Sequence, residues 1–236
     1  MKTCWLHQQG RQDCLLFFAG WGMDPAPFYD IPAGTVDVLM VSDYRSLKCT
    51  DLVSLLQELG QKTLSTTYTR FHLLAWSMGV WAASMLSTQQ IFSPLSLTSS
   101  IALAGTCYPI HDRLGIPAQN FVNMLEQLSP ARLQAFQRSM FTNKQEADAF
   151  IQSFHKGGRS VQELQQELAV LAQAATEQPE VPDDIYTSKV VTGRDRIFPA
   201  RHQVRAWGRQ QCQTVSLPHF PFYHWPSWSA MLHELT

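Results

Sequence analysis

Hydrophobic positions along the chain fall into short, nearly continuous runs: Cys14–Ala19, Val36–Val41, Phe71–Trp76, Ile101–Ala104 and Thr187–Val191. Runs of this length that are apolar on both faces predict buried strands of a parallel sheet covered by helices. Between them lie segments with helical spacing: Asp51–Leu59, Gly79–Leu86 and Pro199–Gln210, the last opened by a proline that suits a first helical turn. Strand and helix alternating in this order predict an α/β fold with a mostly parallel sheet flanked by helices.

The pattern changes between about Tyr108 and Pro182, which is helical in spacing and poor in strands. Ser129-Pro130 reads as a capped helix start, Asn143 as a second cap, and Ser160–Ala175 as a third helix, separated from the second by Gly157-Gly158. A helical insertion between two strands of a parallel sheet is how a lid over the strand ends is built. The expected organisation is a sheet domain of residues 1–108 and 181–236, interrupted by a helical cap at 109–180.

Composition changes this picture little. The 236 residues are 45% hydrophobic and 16% charged, so little of the chain reads as disordered. A net charge of −1 gives no global reason to expect nucleic acid or a membrane surface as partner. The five cysteines are scattered and never spaced as Cys-x-x-Cys, which suits free thiols in a reducing cytoplasm. Residues 1–12 carry no apolar core of a secretory signal, and no apolar run approaches a bilayer span. A cytoplasmic monomer is expected. Neither a metal-ligand cluster nor a phosphate-cradling glycine loop is visible, so no cofactor is expected.

The chemistry lies at strand ends. Phe71–Trp76 runs straight into a helical segment through Ala75-Trp76-Ser77-Met78-Gly79. A nucleophile elbow places its serine on such a strained strand-to-helix turn, with small residues two positions to either side. Gly79 fits fully, and Ala75 stands where glycine is usual. The strand Cys14–Ala19 ends in Gly20-Trp21-Gly22, a turn whose amides can face a developing negative oxygen. The N–H groups of Trp21 and Met78 are therefore the candidate oxyanion donors. Asp195 stands in the loop leaving Thr187–Val191, between Arg194 and Arg196, which would favour its ionised form. His219 follows another strand, Gln213–Leu217, inside the rigid Pro218-His219-Phe220-Pro221-Phe222 loop, with His224 as its close rival. The order Ser77, Asp195, His219 matches the triad order of α/β-hydrolases and neither of the other two common serine-hydrolase orders.

Together, Phe17–Asp24, Ala75–Val80, Gly193–Pro199 and His219–Phe222 resemble the BioG family, the pimeloyl-[acyl-carrier protein] methyl ester esterases of biotin synthesis. The resemblance runs over nearly the whole chain. It implies that Ser77, Asp195 and His219 form the triad and that Trp21 and Met78 form the oxyanion site. It also implies that the methyl ester at the far end of a pimeloyl chain is cleaved while the near end stays on acyl-carrier protein.

The cap is consistent with such a partner. From Ala131 to Ser160 it holds Arg132, Arg138, Lys144, Lys156 and Arg159 against Glu146 and Asp148. A basic patch suits an acidic carrier and would mainly raise its association rate. Arg132, Arg138 and Arg159 are candidate carrier contacts. Phe121, Leu133, Phe136, Phe141 and Phe154 are candidates for an acyl tunnel, with Phe141 as the candidate substrate contact, and packing against the sheet would explain them equally well. A thioesterase or broad small-ester carboxylesterase could use the same triad; the alternative from another class is a non-catalytic binding protein on a decayed hydrolase fold, against which the intact Ser77, Asp195 and His219 argue.

Overall fold

The computed structural model describes residues 1–61, 68–177 and 184–236. Among these residues seven strands form one sheet: β1 (Lys2–His7), β2 (Asp13–Phe18), β3 (Val36–Ser42), β4 (Arg70–Trp76), β5 (Leu97–Leu103), β6 (Ser188–Thr192) and β7 (Gln213–Val215). Their spatial order is β1-β3-β2-β4-β5-β6-β7. Every neighbouring pair is parallel except β1 with β3.

Strand residues alternate between the two faces of a sheet, so a strand buried at every position must be covered on both sides. β2 (DCLLFF) and β3 (VDVLMVS) are buried throughout. The helices supplying this cover include α1 (Thr50–Gly60), α2 (Met78–Ser87), α7 (Ala200–Trp207) and α8 (Trp228–Leu235). α2 is the central one, buried from Met78 to Leu86, which its run of small and apolar residues allows.

Among the described residues, four helices lie between β5 and β6: α3 (Ala118–Glu126), α4 (Pro130–Ser139), α5 (Lys144–Gly157) and α6 (Val161–Glu177). The local signals act as the sequence suggests. Ser129 accepts a hydrogen bond from the Arg132 amide and Asn143 from the Gln145 amide. Gly158 ends α5 in the left-handed region, at φ 76°. Ser160 and Glu163 exchange side-chain-to-amide bonds of 2.9 and 3.2 Å, a capping box at the start of α6. The expected cap boundary at 180/181 lies outside the described residues. Among those described, no helix is long and apolar enough to cross a membrane.

Several elements differ from expectation: β5 starts at Leu97, four residues before the expected Ile101, because Thr98, Ser99 and Ser100 interrupt its apolar run, and β7 ends at Val215, two before the expected Leu217. The edge strand β1 is absent from the apolar runs because it is half exposed. α3 has an apolar face at Phe121, Met124 and Leu125, but it follows Pro117 with no capping side chain, so nothing in the sequence marks its start. α7 stops at Trp207, short of the expected Gln210, because Gly208 leaves the helix at φ 84°; Pro199 is its cap and not its first turn.

Candidate active site

Parallel register brings the expected residues to one end of the sheet. Phe18 pairs with Ala75, so the Gly20–Gly22 turn after β2 and Ser77 after β4 leave adjacent strands together. Thr192 pairs with Val215, which brings the Asp195 loop beside the His219 loop. Gly193 and Arg194 amides donate to the Val215 and Leu217 carbonyls at 2.7 and 3.0 Å, tying those two loops to each other. Sites beyond the carboxyl ends of parallel strands are the rule for open α/β sheets.

Ser77 sits at φ 58°, ψ −125°, a conformation rare for a residue with a side chain. Such strain persists only where the surroundings impose it, and here the chain turns sharply from β4 into α2. The turn packs tightly enough to dictate its neighbours. A Cβ on Gly79 would collide with the Phe18 carbonyl oxygen and lie 2.6 Å from that of Ala19. Backbone atoms cannot yield there, so Gly79→Ala is expected to destabilise by about 1–3 kcal/mol or more. Thermal melting should show a fall of roughly 5–10 °C. Ala75 is fully buried within β4 and its methyl is accommodated, so Ala75→Gly should melt within a few degrees of wild type.

His219 joins the nucleophile to the acid. Its Nε2 lies 2.9 Å from Ser77 Oγ and its Nδ1 2.8 Å from Asp195 Oδ2, with all three residues buried. The ring is held from several sides. Phe198 stacks on it at an interplanar angle of 10°, and the Trp76 indole donates to the His219 carbonyl at 2.8 Å. The Phe220 amide next to it donates to the Met140 carbonyl at the end of α4. His224, the rival, is exposed in a short 3-10 turn.

Asp195 receives five donors. Oδ1 accepts the amides of Ile197 (2.8 Å) and Phe198 (2.9 Å), and Oδ2 accepts Thr192 Oγ1 (2.8 Å), Gln203 Nε2 (3.0 Å) and the imidazole. The flanking Arg194 and Arg196, expected to favour its ionised form, are not among these donors. Arg194 instead donates to the Ser216 carbonyl, and Arg196 is exposed at the rim of a cavity. Thr192 and Gln203 carried no signal in the sequence, since a buried polar residue gains its role only from what faces it.

Trp21 and Met78 line the same cavity as Ser77 and His219. Met78 is the first residue of α2, where a helix N–H has no acceptor inside the helix. The Trp21 N–H makes no backbone hydrogen bond among the described residues. Both amides are thus available beside the nucleophile.

The cavity encloses about 300 Å³, in the range of small-molecule sites. Its walls are mainly apolar, with Met23, Trp76, Phe121, Met124, Phe136 and Leu168 among them, and Arg132 and Arg196 are its charged residues. Of the expected tunnel residues, Phe121 and Phe136 line this cavity, whereas Leu133 and Phe154 line a separate hollow between α4 and α5.

Phe141 requires correction. It lines neither space and packs against Phe150, Phe220 and Tyr223. The arginines divide as well. Arg132 is exposed and lines the cavity; Arg138 is ion-paired with Asp148 at 2.6 Å. The Arg159 side chain is only 7% exposed and reaches inward to Glu167 (2.9 Å) and Asp43 (3.5 Å), so it is not a surface contact. Counting charges along a helix does not reveal which way each one points.

The chain is similar to proteins of known family and fold. The family model described as "Pimeloyl-ACP methyl esterase BioG" matches residues 1–231. A malonyl-[acyl-carrier protein] O-methyltransferase of Bacteroides fragilis is 38% identical over 206 residues, 87% of this chain. The chain spans only 38% of that relative's length. An uncharacterized protein of Haemophilus influenzae is 30% identical over 98% of this chain and 99% of its own. Among solved structures, BioG from Haemophilus influenzae superposes with a TM-score of 0.78 at 27% identity, covering 98% of this chain and 99% of that one. A bromoperoxidase from Bacillus anthracis, at 14% identity and a TM-score of 0.62 over 98% and 93% of the two chains, shares the α/β-hydrolase fold.

Proposed function

The chain belongs to the BioG family, and from that premise we propose that it hydrolyses the methyl ester of a pimeloyl chain carried on acyl-carrier protein, a step of biotin synthesis. The observation that carries the reading is the apolar cavity opening onto Ser77 and His219, with Arg132 and Arg196 as its cations among the described residues. An apolar acyl chain matches the walls, and an anionic carrier arm matches the two arginines.

The proposed chemistry follows the contacts. His219 Nε2 takes the Ser77 proton as Oγ attacks the ester carbonyl. The negative oxygen of the tetrahedral intermediate lies against the Trp21 and Met78 amides. The intermediate collapses, and methanol leaves with the proton from His219. Water then attacks the acyl-enzyme by the same proton route and frees the carboxylate. Asp195 holds the imidazole in the tautomer that can accept at Nε2. Residues 109–180 would act as the cap, with α3, α4 and α6 supplying the cavity residues Phe121, Arg132, Phe136 and Leu168.

The relative from Bacteroides fragilis supports this substrate class. A segment similar to this chain sits in a longer polypeptide named for O-methylation of a carrier-bound acid. A methyl ester on a carrier is the product such a methylation forms, and an esterase would remove it.

Purified protein should convert pimeloyl-carrier methyl ester to the free acid and methanol, read by mass spectrometry of the carrier. Preference for a short nitrophenyl ester or for the thioester bond, with the methyl ester left intact, would sink the assignment. Charge reversal by Arg132→Glu and Arg196→Glu should raise KM for the carrier-bound ester several-fold and leave small-ester turnover unchanged. That effect should shrink with salt, since exposed charges are screened over about 8–10 Å near physiological ionic strength. Equal damage to both substrates would mean that the arginines shape the cavity and do not meet the carrier.

A further inference from the structure

We propose that Glu167, on α6, is a positioning residue for the oxyanion site: its buried carboxylate fixes the turn that presents the Trp21 amide. This rests on the esterase reading and adds to it a role for the helical insertion.

The inner face of α6 is Leu164, Glu167, Leu168 and Leu171, spaced at three and four residues and buried. An apolar residue would suit position 167 in that stripe, yet a carboxylate with no exposed side-chain surface occupies it. Its contacts explain the choice. Oε2 accepts the Gly22 amide at 3.1 Å, and Oε1 accepts the Tyr44 amide at 2.7 Å. One turn earlier on the same face, the Leu164 carbonyl accepts the Trp21 indole N–H at 3.0 Å. The Tyr44 hydroxyl in turn donates to the Ala19 carbonyl at 2.8 Å. The Ala19–Gly22 turn is therefore held at both ends, from α6 directly and through Tyr44.

The turn cannot hold itself. Gly22 lies at φ 76°, a left-handed conformation, and a Cβ there would touch Leu164 at 3.4 Å. A buried amide without an acceptor is unfavourable, so the Gly22 and Tyr44 N–H groups need Glu167. Burial raises the Glu167 carboxyl above the usual carboxylate range, while Arg159 and the two amides act to keep it ionised. A buried ion pair adds little net stability over apolar residues of the same volume. What the carboxylate supplies here, and a leucine would not, is two acceptors at fixed positions. An oxyanion donor displaced by a fraction of an ångström loses much of its effect on the transition state.

The test is Glu167→Gln in the full chain, assayed with a nitrophenyl ester small enough to bypass the carrier. Glutamine keeps the shape but replaces one acceptor oxygen with a donor. We expect kcat to fall about 10–100-fold, less than the ~10²–10³-fold loss when an oxyanion donor is deleted outright. KM should stay within about threefold. Affinity for a trifluoromethyl ketone, whose adduct with Ser77 places a negative oxygen in the site, should fall by the same factor as kcat/KM. An ether analogue of the ester, with no carbonyl, should bind unchanged.

Tyr44→Phe removes the bond to Ala19 and spares the ion pair; it should give a smaller drop with the same pattern. Arg45, more exposed than Arg159, pairs with Asp43 at 2.7 Å and Glu163 at 2.8 Å, and Arg45→Met should leave kcat unaltered. The proposal is overturned by a folded Glu167→Gln protein with wild-type kcat, or by equal losses for the ketone and the ether. If Glu167→Gln does not fold, wild-type kcat in Tyr44→Phe overturns it. Wild-type protein inactive on every ester would overturn the esterase reading as well, whereas an active wild type with an unaltered Glu167→Gln overturns only this role.

Discussion

Ser77→Ala and His219→Ala are each expected to lower kcat by about 10⁴–10⁶-fold with the fold intact, and the double variant to be no worse than either alone. The non-additivity follows from the geometry. Ser77 Oγ and His219 Nε2 share one hydrogen bond of 2.9 Å, and neither does its part without the other. Loss of the hydroxyl removes the atom that attacks; loss of the imidazole leaves a hydroxyl that stays protonated near neutral pH. Residual activity should persist, because the Trp21 and Met78 amides and the cavity are untouched. Steady-state turnover of a nitrophenyl ester, with melting curves for each variant, decides the matter. A His219→Ala protein as active as wild type would remove His219 from the mechanism. Labelling of Ser77 by a fluorophosphonate should vanish in Ser77→Ala and nearly vanish in His219→Ala.

Much of this was legible in the amino-acid order, for reasons that also mark its limits. β2, β3 and β4 are apolar at nearly every position because both sheet faces are covered, so their runs stand out. β1 does not, since an edge strand with exposed ends needs no such run. The candidate triad lies in loops directly after strands, and a parallel sheet places those loops together whatever the intervening sequence. Ser77, Asp195 and His219 could therefore be picked out one strand end at a time. Glu167 could not. It lies 145 residues from Gly22, on a helix whose spacing shows only that position 167 faces inward. Gln203 and Thr192 are illegible for the same reason: a helix interior and a strand end accept many residues, and only the approach of Asp195 selects these. The cap arginines mark a different limit. Arg159 and Arg132 are both cationic in the sequence, but one is turned in toward Glu167 and the other out along the cavity rim.

Asp195→Asn should lower kcat by about 10⁴-fold while hardly changing the shape of the site. The donors around Asp195 determine why. Two backbone amides, Ile197 and Phe198, point at Oδ1 and cannot rotate away, so the amide oxygen of the asparagine must take that position. Its NH₂ is then forced to the place of Oδ2, facing Thr192, Gln203 and His219 Nδ1. An NH₂ can only donate to the ring, so Nδ1 becomes an acceptor and the proton moves to Nε2. Nε2–H now points at Ser77 Oγ and cannot accept its proton. The side chain of Gln203 meets the same conflict, donor against donor. Its Oε1 has no partner in the native arrangement. An amide flip would satisfy the new NH₂ but would break the 2.6 Å bond from Nε2 to the Phe198 carbonyl. Nitrogen NMR of the imidazole should show Nδ1–H in the wild type and Nε2–H in Asp195→Asn at neutral pH. An Asp195→Asn protein with the wild-type tautomer and near-wild-type kcat would mean that Asp195 does not orient His219.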